Sequence, residues 1–418
     1  MSLNHSDLMF YCPVDDLPHP AASGVNDRTL DWASGQGIPT ADRDAGRLRA
    51  MAPGLLAARI APDARGPVLD AFADHHTWLF AFDDEYCDRA DGSGITEWAS
   101  FLARLHRVVE TGESALLPGN PYGLALRDIA CRLSTYTTPA QLAEWLEALR
   151  SYFAALVWER SRRRDDDRLQ SLDDYLLLRL RNGAMHTSIT LLDTVNGYVL
   201  PRELRETPGV RALVEMTALL VSVDNDILSH HKESTSGTRE ANLLDVLGRT
   251  GHTTPGEAVA QAVALRNEIM RQFVRVAERV RTPAAVPELY RFTTGLARWI
   301  RANLDFSLTT TRYTGPVTER AALSPHEVPP LSGQGPAPAR SDVIGWWWRI
   351  PEPLPEPGSD GADTPVRKRR AGDRPPTAGR GGAPHHQRTG PPPPVLPGGI
   401  TASRSSGLQQ STWRREHR

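Results

Sequence analysis

The stretch Asn225-Asp226-Ile227-Leu228-Ser229-His230-His231-Lys232-Glu233 sets an amide, a hydroxyl and a carboxylate at i, i+4 and i+8. All three are hard oxygen donors of the kind Mg²⁺ accepts, and Lys232 places a cation beside the last of them. On an α-helix the three positions drift about 80° around the axis while rising about 12 Å. One ion can touch all three only if the side chains lean together. Cα–Cβ bonds tilt toward the helix N-terminus, so the longer Glu233 can reach back to Ser229 and Asn225. The same residue types would also suit a solvated helix end.

A second cluster, Asp83-Asp84-Glu85-Tyr86-Cys87-Asp88, lies upstream and follows the apolar run Trp78-Leu79-Phe80-Ala81-Phe82. Carboxylates at the end of a segment expected to be buried are costly unless a cation compensates them. In an α-helix Asp84 and Asp88 share a face, and Asp83 is turned roughly 100° away. Two oxygen-donor motifs on separate helices point to a multi-Mg²⁺ site that grips a phosphorylated substrate.

Together the motifs resemble those of the bacterial class I terpene synthases. The aspartate-rich motif is matched by Asp83-Asp84-Glu85-Tyr86-Cys87-Asp88, with its last acid in sixth place where the commoner form has it in fifth. The second motif, N-D-x-x-S-x-x-x-E, is matched by Asn225, Asp226, Ser229 and Glu233, with Lys232 before the final acid. Arg179, followed by Asn182 and Gly183, stands where a diphosphate-sensing arginine and a helix break are expected. Arg312-Tyr313 matches the closing pair, and Phe10-Tyr11-Cys12-Pro13 with His19-Pro20 the opening. The resemblance spans roughly residues 8 to 315. It implies an all-α barrel around an apolar cavity and three Mg²⁺ ions, two on the Asp83 side and one held by Asn225, Ser229 and Glu233. It makes Asp83 the leading acid of the first motif, whereas helix geometry alone favours Asp84 with Asp88.

The chemistry so implied is ionisation of an allylic isoprenoid diphosphate and cyclisation of the cation, with farnesyl diphosphate the expected substrate. Mg²⁺ neutralises charge building on the leaving group, and Arg179, Lys232, Arg312 and Tyr313 can donate to diphosphate oxygens. Aromatic faces attract the cation; Phe80, Phe82, Tyr152, Phe153, Trp299 and Phe306 are candidates, and each could equally be core packing. Monoterpene and diterpene cyclases remain open. So do a helical prenyltransferase, a metal phosphohydrolase using His75, His76, Asp83 and Asp84, and a non-catalytic helical scaffold.

Helical periodicity predicts the elements that must position these residues: 44–58, 66–88, 97–111, 120–133, 139–160, 172–199, 209–233, 256–281 and 286–312. Gly183 interrupts the sixth, at about 1 kcal/mol relative to Ala, and is read as a deliberate break beside Arg179. No apolar run is long enough to span a membrane, and residues 1–10 lack the features of a signal peptide. The 3 scattered cysteines suit reduced thiols, hence a cytoplasmic protein. A monomer or homodimer is expected.

Composition divides the chain near residue 330. Residues 331–418 carry 13 basic and 7 acidic side chains and 15 of the 34 prolines, so they are predicted to be a disordered Pro/Gly/Arg-rich tail beyond a catalytic domain of residues 1–330. The island Trp346-Trp347-Trp348 could dock on the body or stay exposed. The basic run Arg367-Lys368-Arg369-Arg370 is read as a solvated extension, with no nucleic acid expected as partner.

Overall fold

The computed structural model describes residues 8–39, 48–87, 94–164, 171–236, 241–251, 253–281, 285–313, 317–327 and 341–350. Asp88 and residues 351–418, including the basic run, lie outside them. The order is β1 Met9–Tyr11, α1 Ala22–Gly35, α2 Pro53–Ile60, α3 Pro67–Phe82, α4 Ile95–Thr111, α5 Pro121–Leu133, α6 Pro139–Arg164, α7 Leu172–Asn182, α8 Met185–Ile189, α9 Pro208–Ser236, α10 Leu243–Gly251, α11 Pro255–Val280, α12 Pro287–Thr309 and β2 Ala322–Ser324. Helices α1 and α10, and the strand pair, were not anticipated.

Start signals in the sequence set several of these boundaries. Proline opens α2, α3, α5, α11 and α12 in the first turn, where its missing N–H costs nothing. Asn120 caps α5 through Gly123 N, Ser171 caps α7 through Asp174 N, and Thr254 with Glu257 closes a capping box on α11. Neighbouring helices then close a ring in the order α2, α3, α5, α4, α6, α7, α9 and α12, with α12 returning to α2. Helices α10 and α11 back α9 from outside. The fold is an all-α barrel, and among the described residues no helix is long and apolar enough to cross a membrane.

Both ends of the barrel chain are tied down. Strand β1 pairs in parallel with β2, and Asn267 on α11 holds both Met9 O (2.8 Å) and Tyr11 N (2.9 Å). The fully buried Arg266 binds Asp224 at 2.8 Å and donates to the Tyr11 carbonyl. Burial pushes the Asp224 carboxyl up to about 6 against the opposing pull of Arg266.

The tryptophan island docks. Trp347 is wholly buried, its Nε1 donating to Glu215 on α9 (3.0 Å), and Gln272 on α11 donates to its carbonyl (2.9 Å). Ser341 donates to Asp173 at the start of α7. The compositional boundary near 330 is therefore not a packing boundary, because residues 341–350 belong with the barrel. Trp347 and Ile344 are fully buried, and Trp346 and Trp348 pack against the same core, so apolar burial holds the segment.

Candidate active site

Helix α3 presents His76, Leu79, Phe80 and Asp83 to one cavity, a single stripe at i, i+3, i+4 and i+7. At Asp83 the winding changes, and Asp83–Cys87 forms one π-helical turn. Such turns shift the register of side chains and recur at functional sites. The 100° step that set Asp83 apart from Asp84 therefore does not apply here. Asp83 lines the cavity, whereas Asp84 turns to the cations: Arg312 Nη1 lies 2.6 Å from Oδ1, and Lys232 Nζ is 3.9 Å away. Arg312 also reaches Asp83 at 3.3 Å.

The facing wall is α9, which carries Val221, Ser222, Asn225, Ser229, Lys232 and Glu233 to the same cavity. The Ser229 hydroxyl donates to Glu233, so the two lean together as their spacing requires. Asn242, just before α10, holds the other Glu233 oxygen at 2.9 Å. Asn225 accepts from Arg179 (3.0 Å) and donates to the Tyr313 hydroxyl (2.7 Å). Two elements far apart in sequence thus meet on one amide.

Arg179 is oriented from below by Asp226, the motif residue with no cavity role. Asp226 is buried and accepts from Arg179 (2.5 Å), Tyr175 (2.6 Å) and Leu243 N (2.8 Å). Burial raises its carboxyl to about 6, with Arg179 pulling the other way. Tyr175 and Asn242 were missed. Tyr175 precedes Arg179 by one turn and so shares its face, a signal that was available; nothing in the sequence pointed to Asn242.

The segment expected to run from 172 to 199 breaks at Gly183. Helix α7 ends at Asn182 and α8 starts at Met185, and one-turn helices and irregular chain follow to Leu200. The left-handed residue is Ala184, at φ 58°, not Gly183. Gly183 serves close packing instead: a Cβ there would stand 2.7 Å from Ser222 Oγ on α9. Asn182 accepts from Arg179 (3.3 Å), and residues 182–184 line the cavity.

The cavity together with the open solvent at its mouth spans about 960 Å³. Away from the motifs its wall is apolar and aromatic, with Leu56, Leu79, Phe80, Tyr152, Met185, Val221, Trp299 and Phe306. Phe80 and Phe306 face each other at 5.6 Å. Phe82 and Phe153 do not line it; they belong to the aromatic core with Trp78, Tyr86 and Tyr152.

The donor set fits Mg²⁺. Amide, hydroxyl and carboxylate oxygens face a second carboxylate wall, with cations between them. Among the described residues no three His, Cys, Asp or Glu side chains converge on one point. His75 is fully buried with Nε2 3.0 Å from Thr187 Oγ1, so the His/Asp phosphohydrolase arrangement is not assembled.

Residues 74–272 match the family model described as terpene synthase family 2, C-terminal metal binding. The chain is 34% identical over 352 residues to a bonnadiene synthase of Allokutzneria albata, covering 81% of this chain and 96% of that protein. It is 32% identical to 4-epi-cubebol synthase ((2E,6E)-farnesyl diphosphate cyclizing) of Streptosporangium roseum, covering 72% and 91%. The crystal structure of SVS_A2, a protein from ancestral sequence reconstruction, superposes with a TM-score of 0.71 at 26% identity, covering 82% of this chain and 98% of that one. With Asp83 and the Asn225, Ser229 and Glu233 donors facing one cavity and relatives matched over nearly their whole length, this chain belongs to the terpene synthase family.

Proposed function

We propose that this enzyme cyclises farnesyl diphosphate to a sesquiterpene or sesquiterpenoid alcohol, releasing diphosphate. The observation that carries the reading is the joining of two oxygen-donor walls, with cations between them, at the mouth of one aromatic-lined cavity. Asp83, with Asp84 and Asp88 beside it in sequence, would hold metal on one side, and Asn225, Ser229 and Glu233 on the other. Mg²⁺, three ions by this reading, supplies Lewis-acid neutralisation of the leaving group when bound.

The chain's own residues do the rest. Arg179, Lys232, Arg312 and Tyr313 converge on the mouth and donate to diphosphate oxygens, and a guanidinium can bind two at once. Gly183 lets α7 approach α9 closely enough for Arg179 to reach Asn225. The apolar lining keeps water from the cation, and Phe80, Trp299 and Phe306 offer π faces worth about 0.5–2 kcal/mol each. Farnesyl diphosphate is favoured because it is the substrate named for the 4-epi-cubebol synthase. The 3 free cysteines agree with work in the cytoplasm.

Incubation with geranyl, farnesyl and geranylgeranyl diphosphates, followed by gas chromatography–mass spectrometry, tests the substrate. One dominant cyclic C15 product is expected, with leaky linear products from the C10 chain. A single cyclic C10 or C20 product at higher kcat/KM would overturn the chain length and leave the metal site standing.

A further inference from the structure

The apolar depth of the cavity contains a titratable group that ionisation does not use. His76 is 4% exposed, lines the cavity, and lies seven residues before Asp83 on the same stripe of α3. That separation places it about 10 Å deeper than the acid motif. Its Nδ1 stands 2.9 Å from the Phe72 carbonyl. A carbonyl oxygen can only accept, so Nδ1 carries the hydrogen and, in the neutral ring, Nε2 holds the lone pair. Nε2 is buried without a hydrogen-bond partner. Rings surround it: Phe72 at 4.5 Å, His75 at 5.9 Å and Trp299 at 5.9 Å between centroids.

An unsatisfied buried acceptor is costly, and a hydrocarbon cavity offers a neutral ligand nothing to donate to it. A carbocation is different, because C–H bonds beside the cationic carbon are strongly acidic. Resting on the cyclase reading, we propose that His76 Nε2 is the base that ends the cation cascade in the deep part of the cavity. The C–H bond next to the cationic carbon breaks, and its electron pair becomes the second bond of a C=C. The proton goes to Nε2, and the imidazolium later passes it to the released diphosphate or to water as product leaves.

Burial fits the ring to this task. It lowers His76 to about 4, against the hydrogen bond to Phe72, so the ring is unprotonated at neutral pH and returns its proton readily. A weak base suffices for so strong an acid. Away from the Asp83 and Glu233 carboxylates at the mouth, the other polar groups of the lining are poorer proton acceptors: Ser188, Ser222 and Tyr152 are hydroxyls, Asn182 and Asn303 amides. Diphosphate at the mouth serves the proximal carbons, and His76 serves the distal ones.

The test compares His76→Phe, which keeps a ring and removes the lone pair, with His76→Gln, which keeps polarity without a base. Diphosphate release and the product profile are measured for each, with circular dichroism as the check on folding. General bases contribute about 10²–10⁴-fold, so other exits should overtake proton loss at this carbon. Both variants should still release diphosphate in a Mg²⁺-dependent way, while the wild-type alkene falls at least about tenfold as a share of products. The same alkene isomers or alcohols should replace it in both. If either variant keeps the wild-type alkene as its main product, the base assignment is overturned. So it is if folded variants release no diphosphate, or if their new products differ according to side-chain shape. A wild-type enzyme giving no Mg²⁺-dependent cyclic product would instead defeat the cyclase reading itself.

Discussion

Gly183→Ala tests how the barrel positions Arg179. The backbone at 183 has φ −76°, which alanine adopts freely, so any cost must come from the new methyl group. That Cβ would lie 2.7 Å from Ser222 Oγ and 3.9 Å from Arg179 Nη1. Ordinary contacts begin at 3.4 Å, so either the serine rotates into a packed wall or α7 moves from α9. Overpacking of this kind costs about 1–3 kcal/mol. Movement would also lengthen the 3.0 Å bond from Arg179 to Asn225, and each 1.36 kcal/mol of lost transition-state stabilisation is tenfold in rate. A loss of about tenfold or more in kcat/KM is expected, together with the stability loss. Ser222→Ala alone should be nearly neutral, because the hydroxyl is buried without a partner. In the double variant the nearest contact becomes Ser222 Cβ at 3.8 Å, so most of both losses should return. Urea denaturation and Mg²⁺-dependent diphosphate release on the four proteins give the cycle. Gly183→Ala equally impaired with and without Ser222→Ala would refute the packing argument.

Asn225→Leu and Glu233→Ala should each abolish turnover and leave the helical circular dichroism unchanged; near-normal diphosphate release from either would remove the second metal wall. Arg179→Lys should lose most activity although charge is kept, since an ammonium cannot bind in a plane to Asp226, Asn225 and diphosphate; wild-type kinetics would make it a structural residue only. Trp347→Ala should destabilise the fold by about 3–5 kcal/mol in urea melts, and a change below 1 kcal/mol would mean that the 341–350 segment rests on the barrel without supporting it. His76 titrates near 4 when folded and near 6.5 when unfolded, so the unfolded chain binds the extra proton between those values and wild-type stability falls as pH drops through that window. Because 1.36 kcal/mol attaches to each pKa unit, His76→Phe should be spared up to about 3 kcal/mol of that loss. Parallel pH dependences for the two proteins would contradict the buried neutral ring.

The grouping of the candidate site's oxygen donors was legible because it is written as residue types at helical spacing. Asn225, Ser229 and Glu233 follow one helix, and the cavity brings Asp83, Arg179, Lys232, Arg312 and Tyr313 to them. What stayed hidden depends on tertiary contacts or on departures from ideal winding. The π-turn at Asp83 changes which acid faces the cavity, and period arguments assume 3.6 residues per turn. Gly183 looked like a backbone device, whereas its reason is Ser222, 39 positions away. Asn242 and Tyr175 act through partners that no local pattern names. The tryptophan island sits in a segment whose composition argues for solvent, yet two helices bind Trp347 and a third accepts from Ser341.

The most direct measurement is anomalous diffraction at the manganese edge from crystals grown with Mn²⁺ and inorganic diphosphate. Peaks are expected on both walls, beside Asp83 and beside Asn225, Ser229 and Glu233, with diphosphate between them and Arg179, Lys232, Arg312 and Tyr313 on its oxygens. Manganese on one wall only, or diphosphate bound away from the cavity mouth, would contradict the two-wall site.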